Sequence, residues 1–219
     1  MNSIWILGAG KFGLRAGAEL IQKHPNANVL LIDHDPLACR AAQSLGFITE
    51  HCDGIAYLSR MLNDSDVVDW IVPAIPVHVI FKSIQNRLLN HFQIEKVPIP
   101  ASLLATLPNP IKGENHTIYT SIADFLCPEN CPEPDRECMV TGKPRPCLIY
   151  KVLQQYTGIG FQTVVIRSQT LAPGVGGFRP RVMFQAFDRI KQSQKPVIIS
   201  TACSCHGVVD AFQLISRSG

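Results

Sequence analysis

Apolar residues in this chain fall into short continuous runs, and between the runs they recur at helical spacing. Ile4–Leu7 is four apolar residues in a row, the pattern of a strand buried on both faces. Phe12–Lys23 follows with Leu14, Ala18 and Ile21 on one helical face, and His24-Pro25-Asn26 stops it. Asn28–Asp33 (NVLLID) reads as a second buried strand, Pro36–Leu45 as a helix closed by Gly46, and Phe47–Thr49 as a short third strand. Ile55–Leu62 is a helix broken at Asn63–Asp66, Val67–Val72 a fourth strand, and Val77–Asn90 a long helix. The regularity then lapses. Residues 98–146 carry nine of the sixteen prolines, which excludes regular helix and confines sheet to edges; one strand is expected there, at Thr117–Thr120. Alternation resumes with a helix at Cys147–Tyr156, a strand at Phe161–Ser168, the loop LAPGVGGFRP and a helix at Arg181–Gln192. A strand at Pro196–Thr201, the loop ACSCHG and a last helix at Val208–Leu214 close the chain. Six strands, each followed by a helix, predict an α/β fold with one doubly wound, six-stranded parallel sheet. Residues 1–97 and 147–219 then form a single domain, and 98–146 is an irregular Cys/Pro-rich insert between strands four and five.

Between the first strand and the first helix lies GAGKFG, a G-x-G-x-x-G turn in the strand–turn–helix setting that gives the pattern its meaning. Gly8 permits a tight turn, Gly10 lets a pyrophosphate approach the backbone, and Gly13 permits close helix packing; the helix N-terminus offers amides and a partial positive charge. Asp33 ends the second strand, where a carboxylate accepts from both ribose hydroxyls and repels a 2′-phosphate. The expectation is a Rossmann-like NAD(H) site on Gly8, Gly10, Lys11, Phe12, Gly13 and Asp33, with Pro73 in the loop after strand four. NAD(H) is favoured over NADP(H), since no arginine follows Asp33 until Arg40. His78, at the end of that loop, is a candidate acid or base near neutral pH, or an exposed residue in the first turn of a helix.

The elements WILGAGKFG, LLIDHDP and CDGIAYL, all within residues 3–90, resemble the nucleotide-binding domain of Trk-type potassium-uptake regulators, the regulator-of-conductance family. That resemblance implies a nucleotide-responsive domain serving a transport system, and makes Asp53 a further cofactor contact; a helix-capping role is the alternative. Cys52 stands where that family usually has glycine, and the second half of the chain departs from its pattern.

Eight cysteines change the picture. Cys127, Cys131, Cys138 and Cys147 follow C-x3-C-x6-C-x8-C. Four thiolates so close in sequence, in a proline-stiffened stretch with little apolar content to bury, predict a metal site: an iron–sulfur cluster or zinc. Buried free thiols are the alternative, and the reading assigned to Cys39 and Cys52. For Cys203, Cys205 and His206 three readings stay open: further metal ligands, a reactive thiol whose pKa is lowered by His206 and a following helix, or simple burial. If all strands are parallel, these residues share one sheet edge with the glycine turn, Asp33 and the PGVGG loop.

The 219 residues are 46% apolar and 17% charged with net charge +3, enough for a sizeable core. No basic run interleaved with aromatics points to nucleic acid, and no apolar window is long enough for membrane insertion. The chain enters its first strand without a charged-then-apolar leader, which predicts a cytoplasmic protein. The expected partners are a dinucleotide, an unknown small-molecule substrate and a second copy in a homodimer. The functional expectation is an NAD-dependent oxidoreductase with a cysteine-ligated metal; a non-catalytic NAD(H)-sensing regulatory domain with a structural metal is the alternative.

Overall fold

The computed structural model describes residues 2–63, 67–134 and 136–216. In chain order the elements are β1 (Ser3–Leu7), α1 (Lys11–Lys23), β2 (Asn28–Asp33), α2 (Pro36–Ser44), β3 (Ile48–His51), α3 (Gly54–Met61), β4 (Trp70–Pro73) and α4 (Val79–Leu88). Then come β5 (Phe92–Lys96), α5 (Ala101–Leu104), β6 (Ile111–Lys112), β7 (Ile118–Ser121), α6 (Ile149–Gln155) and β8 (Gln162–Arg167). The chain ends with β9 (Gln169–Ala172), β10 (Val175–Gly177), α7 (Pro180–Lys191), β11 (Val197–Ala202) and β12 (His206–Ser216). Of the break expected at 63–66, only Asn63 lies among the described residues. No helix among them is long and apolar enough to cross a membrane.

The chain forms two compact units, Met1–Asn86 with Gln169–Phe184, and Arg87–Ser168 with Gln185–Gly219. The first holds a four-stranded parallel sheet in the order β3-β2-β1-β4. Burial explains the continuous apolar runs: Ile4, Ile6, Leu7, Leu31, Ile32 and Ile71 have no exposed surface. Leu7 pairs with both Ile32 and Pro73, so the C-terminal ends of β2, β1 and β4 line up. Gly8, His34 and Ala74, each one residue past the end of its strand, therefore share one edge of the sheet.

The expected single six-stranded parallel sheet is corrected by the second unit, whose sheet is separate and mixed. Its order is β6-β7-β12-β11-β8, and β5 also pairs with β12. Only β8 and β11 run parallel; β12 is antiparallel to β11, β7 and β5. The helix expected at Val208–Leu214 is the middle of β12. Its paired apolar residues fit a 3.6 and a 2 period equally well, and neighbours on both edges, β11 just before it in sequence and β7 and β5 far from it, decide for strand. Residues 98–146 are part of this second unit rather than an excursion from one domain: α5, β6 and β7 come from them, with β7 one residue beyond the expected strand. The irregular backbone expected for the insert is found from 122 to 148, where no helix or strand lies among the described residues. Across this sheet Lys96 Nζ lies 2.5 Å from Asp210 Oδ1, and Thr117 Oγ1 donates to the same oxygen at 2.6 Å, tying β5 and the start of β7 to β12 through a fully buried carboxylate.

Candidate functional site

The glycine turn has three different reasons for its three glycines. Gly8 adopts φ +112°, its N–H donates to Ile32 O at 2.7 Å, and a Cβ there would meet Ala74 O at 2.7 Å. A Cβ on Gly13 would run into the Gly8 carbonyl, so α1 can lie this close to the turn only without one. Gly10 is not required by packing. It is the N-cap of α1 at φ −72°, and a Cβ there would meet nothing within 4 Å. No side chain caps α1 and no acid lies in its first turn, which leaves a cradle beside its N-terminal amides. Asp33 overlooks it: Oδ2 accepts from Ala9 N–H at 2.7 Å and Oδ1 from Asp35 N–H at 2.9 Å. The exposed His34 ring has Nδ1 3.3 Å from Oδ1.

Beside the turn a cleft of about 530 Å³ opens, lined by Phe12, Arg15 and Ala16 of α1, the Val72–Pro76 stretch and Gly174–Gly176. Phe12 and Pro73, both expected at the cofactor, stand in its wall. The LAPGVGGFRP segment, expected as a loop, is the hairpin β9–β10. Pro173 and Gly174 (φ +66°) form the turn, the residue order of a type II turn and a hairpin signal already present in the sequence. Arg15 donates to the carbonyls of Pro173 (3.1 Å) and Gly174 (2.9 Å), and Lys23 Nζ to Leu171 O (2.6 Å), fastening the hairpin to α1. His78 is buried, with its ring tilted 34° to Phe81 at 6.5 Å, and does not line the cleft. Asp53 caps α3, accepting from Ala56 N–H at 2.8 Å. Lys11 Nζ lies 6.0 Å from the Phe12 ring centroid.

The remaining candidates lie in the second unit, so the shared edge expected for Cys203, Cys205 and His206 with the glycine turn is replaced by a setting of their own. They form the turn between β11 and β12. Cys203 Sγ accepts from the N–H groups of Cys205 (3.4 Å) and His206 (3.3 Å) and lies 3.8 Å from His206 Nδ1. Both ends of the 122–148 stretch are pinned here: Ile122 N–H donates to Cys205 O and Ile149 N–H to Ser204 O, each at 3.0 Å. Glu133 Oε1 accepts from Ser204 N–H at 2.5 Å.

Burial, reinforced by the Glu133 charge, pushes the Cys203 thiol up to about 12. Burial lifts Cys205 to about 11 against the opposing pull of Arg145, and lowers His206. The activated-thiol reading loses both of its supports: the segment after His206 is strand, and the local field favours the thiol over the thiolate. Cys127 is raised by burial and by the neighbouring Cys131 and Cys138, whereas Cys147 is raised by burial alone. Cys138 is lowered, chiefly by hydrogen bonds from the Thr141 and Val140 backbone, with a smaller contribution from the Arg145 charge. Among the described residues no three His, Cys, Asp or Glu side chains converge tightly enough for a single metal ion. Cys39, as expected, is packed, its thiol directed at Asp33 O at 3.5 Å.

A family model, AF_1314_C, described as "Uncharacterized protein, C-terminal domain", matches residues 67–215, about two thirds of the chain. No curated protein matches the chain.

Proposed function

The chain belongs to the AF_1314_C family, and we propose that it is an NAD(H)-binding protein with a cysteine-ligated metal site, a redox protein in which the dinucleotide supplies a hydride or electrons for an unknown substrate. The first unit, on this reading, is Rossmann-like: Gly8–Gly13 and the start of α1 hold the pyrophosphate, Asp33 the adenosine ribose, and Phe12 and Pro73 the cleft beyond. The single observation that carries it is the unfilled space over Gly10, at the uncapped N-terminus of a 13-residue helix, within a turn whose other two glycines packing demands. Lys11 is an outer contact, and Asp53 is left to its cap. The metal half rests on the sequence spacing of Cys127, Cys131, Cys138 and Cys147 within a proline-stiffened stretch of the second unit.

A second reading is a non-catalytic NAD(H) sensor of a transport system, in line with the resemblance of residues 3–90 to potassium-uptake regulators. One observation favours it: Arg15 is the sole ionisable side chain among the cleft's lining residues, and its guanidinium is engaged with Pro173 and Gly174.

Titration calorimetry with NADH, NAD and NADPH tests the cofactor. NADH binds the wild type, NADPH at least tenfold more weakly, and Asp33→Ala weakens NADH at least tenfold while its Tm shows the fold intact. Unchanged NADH affinity in Asp33→Ala, or no heat with any dinucleotide, overturns the reading. Turnover across a substrate panel then separates oxidoreductase from sensor.

A further inference from the structure

The ends of β2 and β3 carry two histidines beside the Asp33 carboxylate. Asp33 and His51, the last residues of the two strands, are partners in register, and β3 is the outer strand of the sheet. His34 follows Asp33. Its Nδ1 lies 3.3 Å from Asp33 Oδ1, with the ring 81% exposed and the carboxylate only 12% exposed, so the imidazole is the part of this pair that solvent reaches. His51 Nε2 lies 3.0 Å from the His34 carbonyl oxygen and so holds the backbone that carries the His34 ring. Across the sheet edge the order is Gly8 after β1, Asp33 and His34 at β2, and His51 at β3.

The carboxylate is half occupied. Oδ2 accepts from Ala9 N–H and Oδ1 from Asp35 N–H, which leaves each oxygen room for one more donor. A ribose diol needs both places. A neutral imidazole at 3.3 Å holds the place on Oδ1 weakly, whereas an imidazolium claims it with a charge-assisted bond. Histidine is the side chain that makes this change between about pH 8 and pH 5. The other charged or titratable groups around the pair have roles of their own. Asp35 caps α2 through Leu37 N–H, Asp53 caps α3, and Glu50 pairs with Arg60 at 3.3 Å. Cys39 Sγ and Cys52 N–H are directed at the Asp33 carbonyl oxygen, Arg40 is exposed on α2, and Lys11 lies beside Phe12.

We propose that His34, positioned by His51, is a charge-switched subsite for a phosphate on the ribose 2′ oxygen, so that the cofactor site takes NAD(H) when the imidazole is neutral and admits NADP(H) when it is protonated. This rests on the cofactor half of the proposed function and adds the control of its cofactor choice. Position supplies the ligand: with pyrophosphate over Gly10 and ribose at Asp33, the ribose edge turned from the pyrophosphate faces the β3 side, where the histidines stand. Two effects act in the same direction. Protonated His34 competes with the ribose hydroxyls for Asp33 Oδ1, which weakens NAD(H). It also offsets the Asp33 charge and offers a cationic N–H to a phosphomonoester, which strengthens NADP(H).

The test is titration calorimetry with NAD and NADP, the acid-stable oxidised forms, at about pH 8 and about pH 5.5, on either side of the histidine range. At the higher pH the wild type binds NADP at least tenfold more weakly than NAD. At the lower pH that ratio falls. A phosphomonoester takes up its own second proton near pH 6, about where histidine does, so His34→Asn serves as the reference. The fall in the wild type exceeds the fall in His34→Asn by at least fivefold, with Tm showing each variant folded. His51→Ala loses at least half of that excess, and His51→Gln, whose amide still donates to the His34 carbonyl, recovers it; a full excess in His51→Ala overturns the role of His51. Equal falls in wild type and His34→Asn, or a wild-type ratio that does not move, overturn the subsite while NAD binding and the proposed function stand. No heat with either dinucleotide at either pH overturns this proposal and the cofactor reading together.

Discussion

Gly10 and Gly13 are three residues apart in one turn, and replacing each with alanine is expected to damage different things. At Gly10 an added methyl meets no protein atom within 4 Å, and φ −72° with ψ −169° is open to alanine. Alanine is a poorer N-cap than glycine by about 0.5–1 kcal/mol, and the lost freedom of the unfolded chain returns about 0.4–1 kcal/mol. The two nearly cancel, so Tm should move by no more than about 2 °C. That same methyl occupies the space over the helix amides that the pyrophosphate needs, so NADH affinity should fall at least tenfold, about 1.4 kcal/mol. At Gly13 the methyl collides with the Gly8 carbonyl, and backbone on both sides leaves no flexible side chain to swing away. Overpacking of this kind costs about 1–3 kcal/mol, which for a chain this long lowers Tm by roughly 2–12 °C. Differential scanning calorimetry and NADH titration on both variants give the two readouts. A Gly10→Ala protein that binds NADH like the wild type refutes the phosphate placement. A Gly13→Ala protein with wild-type Tm refutes the packing argument.

Lys96→Met strips the charge partner from the buried Asp210 carboxylate and should cost about 3–5 kcal/mol in urea denaturation, with much of it recovered in Lys96→Met/Asp210→Leu; a single-variant loss under about 1 kcal/mol speaks against the pairing. Asp69 accepts from the backbone N–H groups of Asn2 (2.6 Å) and Ser3 (3.1 Å), and these bonds hold its carboxyl below the ordinary value. A depressed folded pKa means stability that is full above the unfolded value, about 3.9, and is lost as pH falls through the folded pKa. Asp69→Asn should therefore cost roughly 1 kcal/mol at pH 6, discounted for partial exposure, and progressively less towards pH 2; a cost independent of pH contradicts this.

How much could be read from the chain depends on how local each signal is. β1, β2 and β4 are continuous apolar runs bounded by Gly8, His34 and Ala74, and a buried parallel strand needs little more to be recognised. The glycine turn was legible because its three spacings, and Asp33 twenty residues on, reflect one short strand–helix unit. β12 was not. Val208, Val209, Ala211, Phe212, Leu214 and Ile215 suit either period, and what selects strand is pairing with β11, β7 and β5, the last more than a hundred residues away in sequence. With β12 misread, the antiparallel sheet, the second unit and the separation of Cys205 from the glycine turn were all hidden. Nor does any spacing encode the closure of 122–148 onto the Cys203–Cys205 turn, through Ile122 N–H to Cys205 O and Ile149 N–H to Ser204 O.

The two units differ in what already holds their sites together. Around the cleft the work is done by packing: Ile4, Ile6, Ala9, Ala16, Leu20 and Val72 form one buried cluster under the glycine turn, and Arg15 and Lys23 fix the hairpin beside it. The cradle over Gly10 thus stands ready before any ligand arrives. Residues 122–148 have no such support. The described ones form no ladder or helix, and Leu126, Met139 and Val140 are among the exposed large apolar side chains, so little burial offsets the entropy of ordering them. Burial raises the thiols of Cys127 and Cys205, and Arg145 keeps two donors from water without an acceptor among the described residues. Each of these is a cost in the metal-free chain, and the proposed metal–thiolate site is the reading under which they would be offset. Thiolate ligation by Cys127, Cys131, Cys138 and Cys147 would keep the sulfurs deprotonated and cross-link a stretch that hydrophobic burial does not hold.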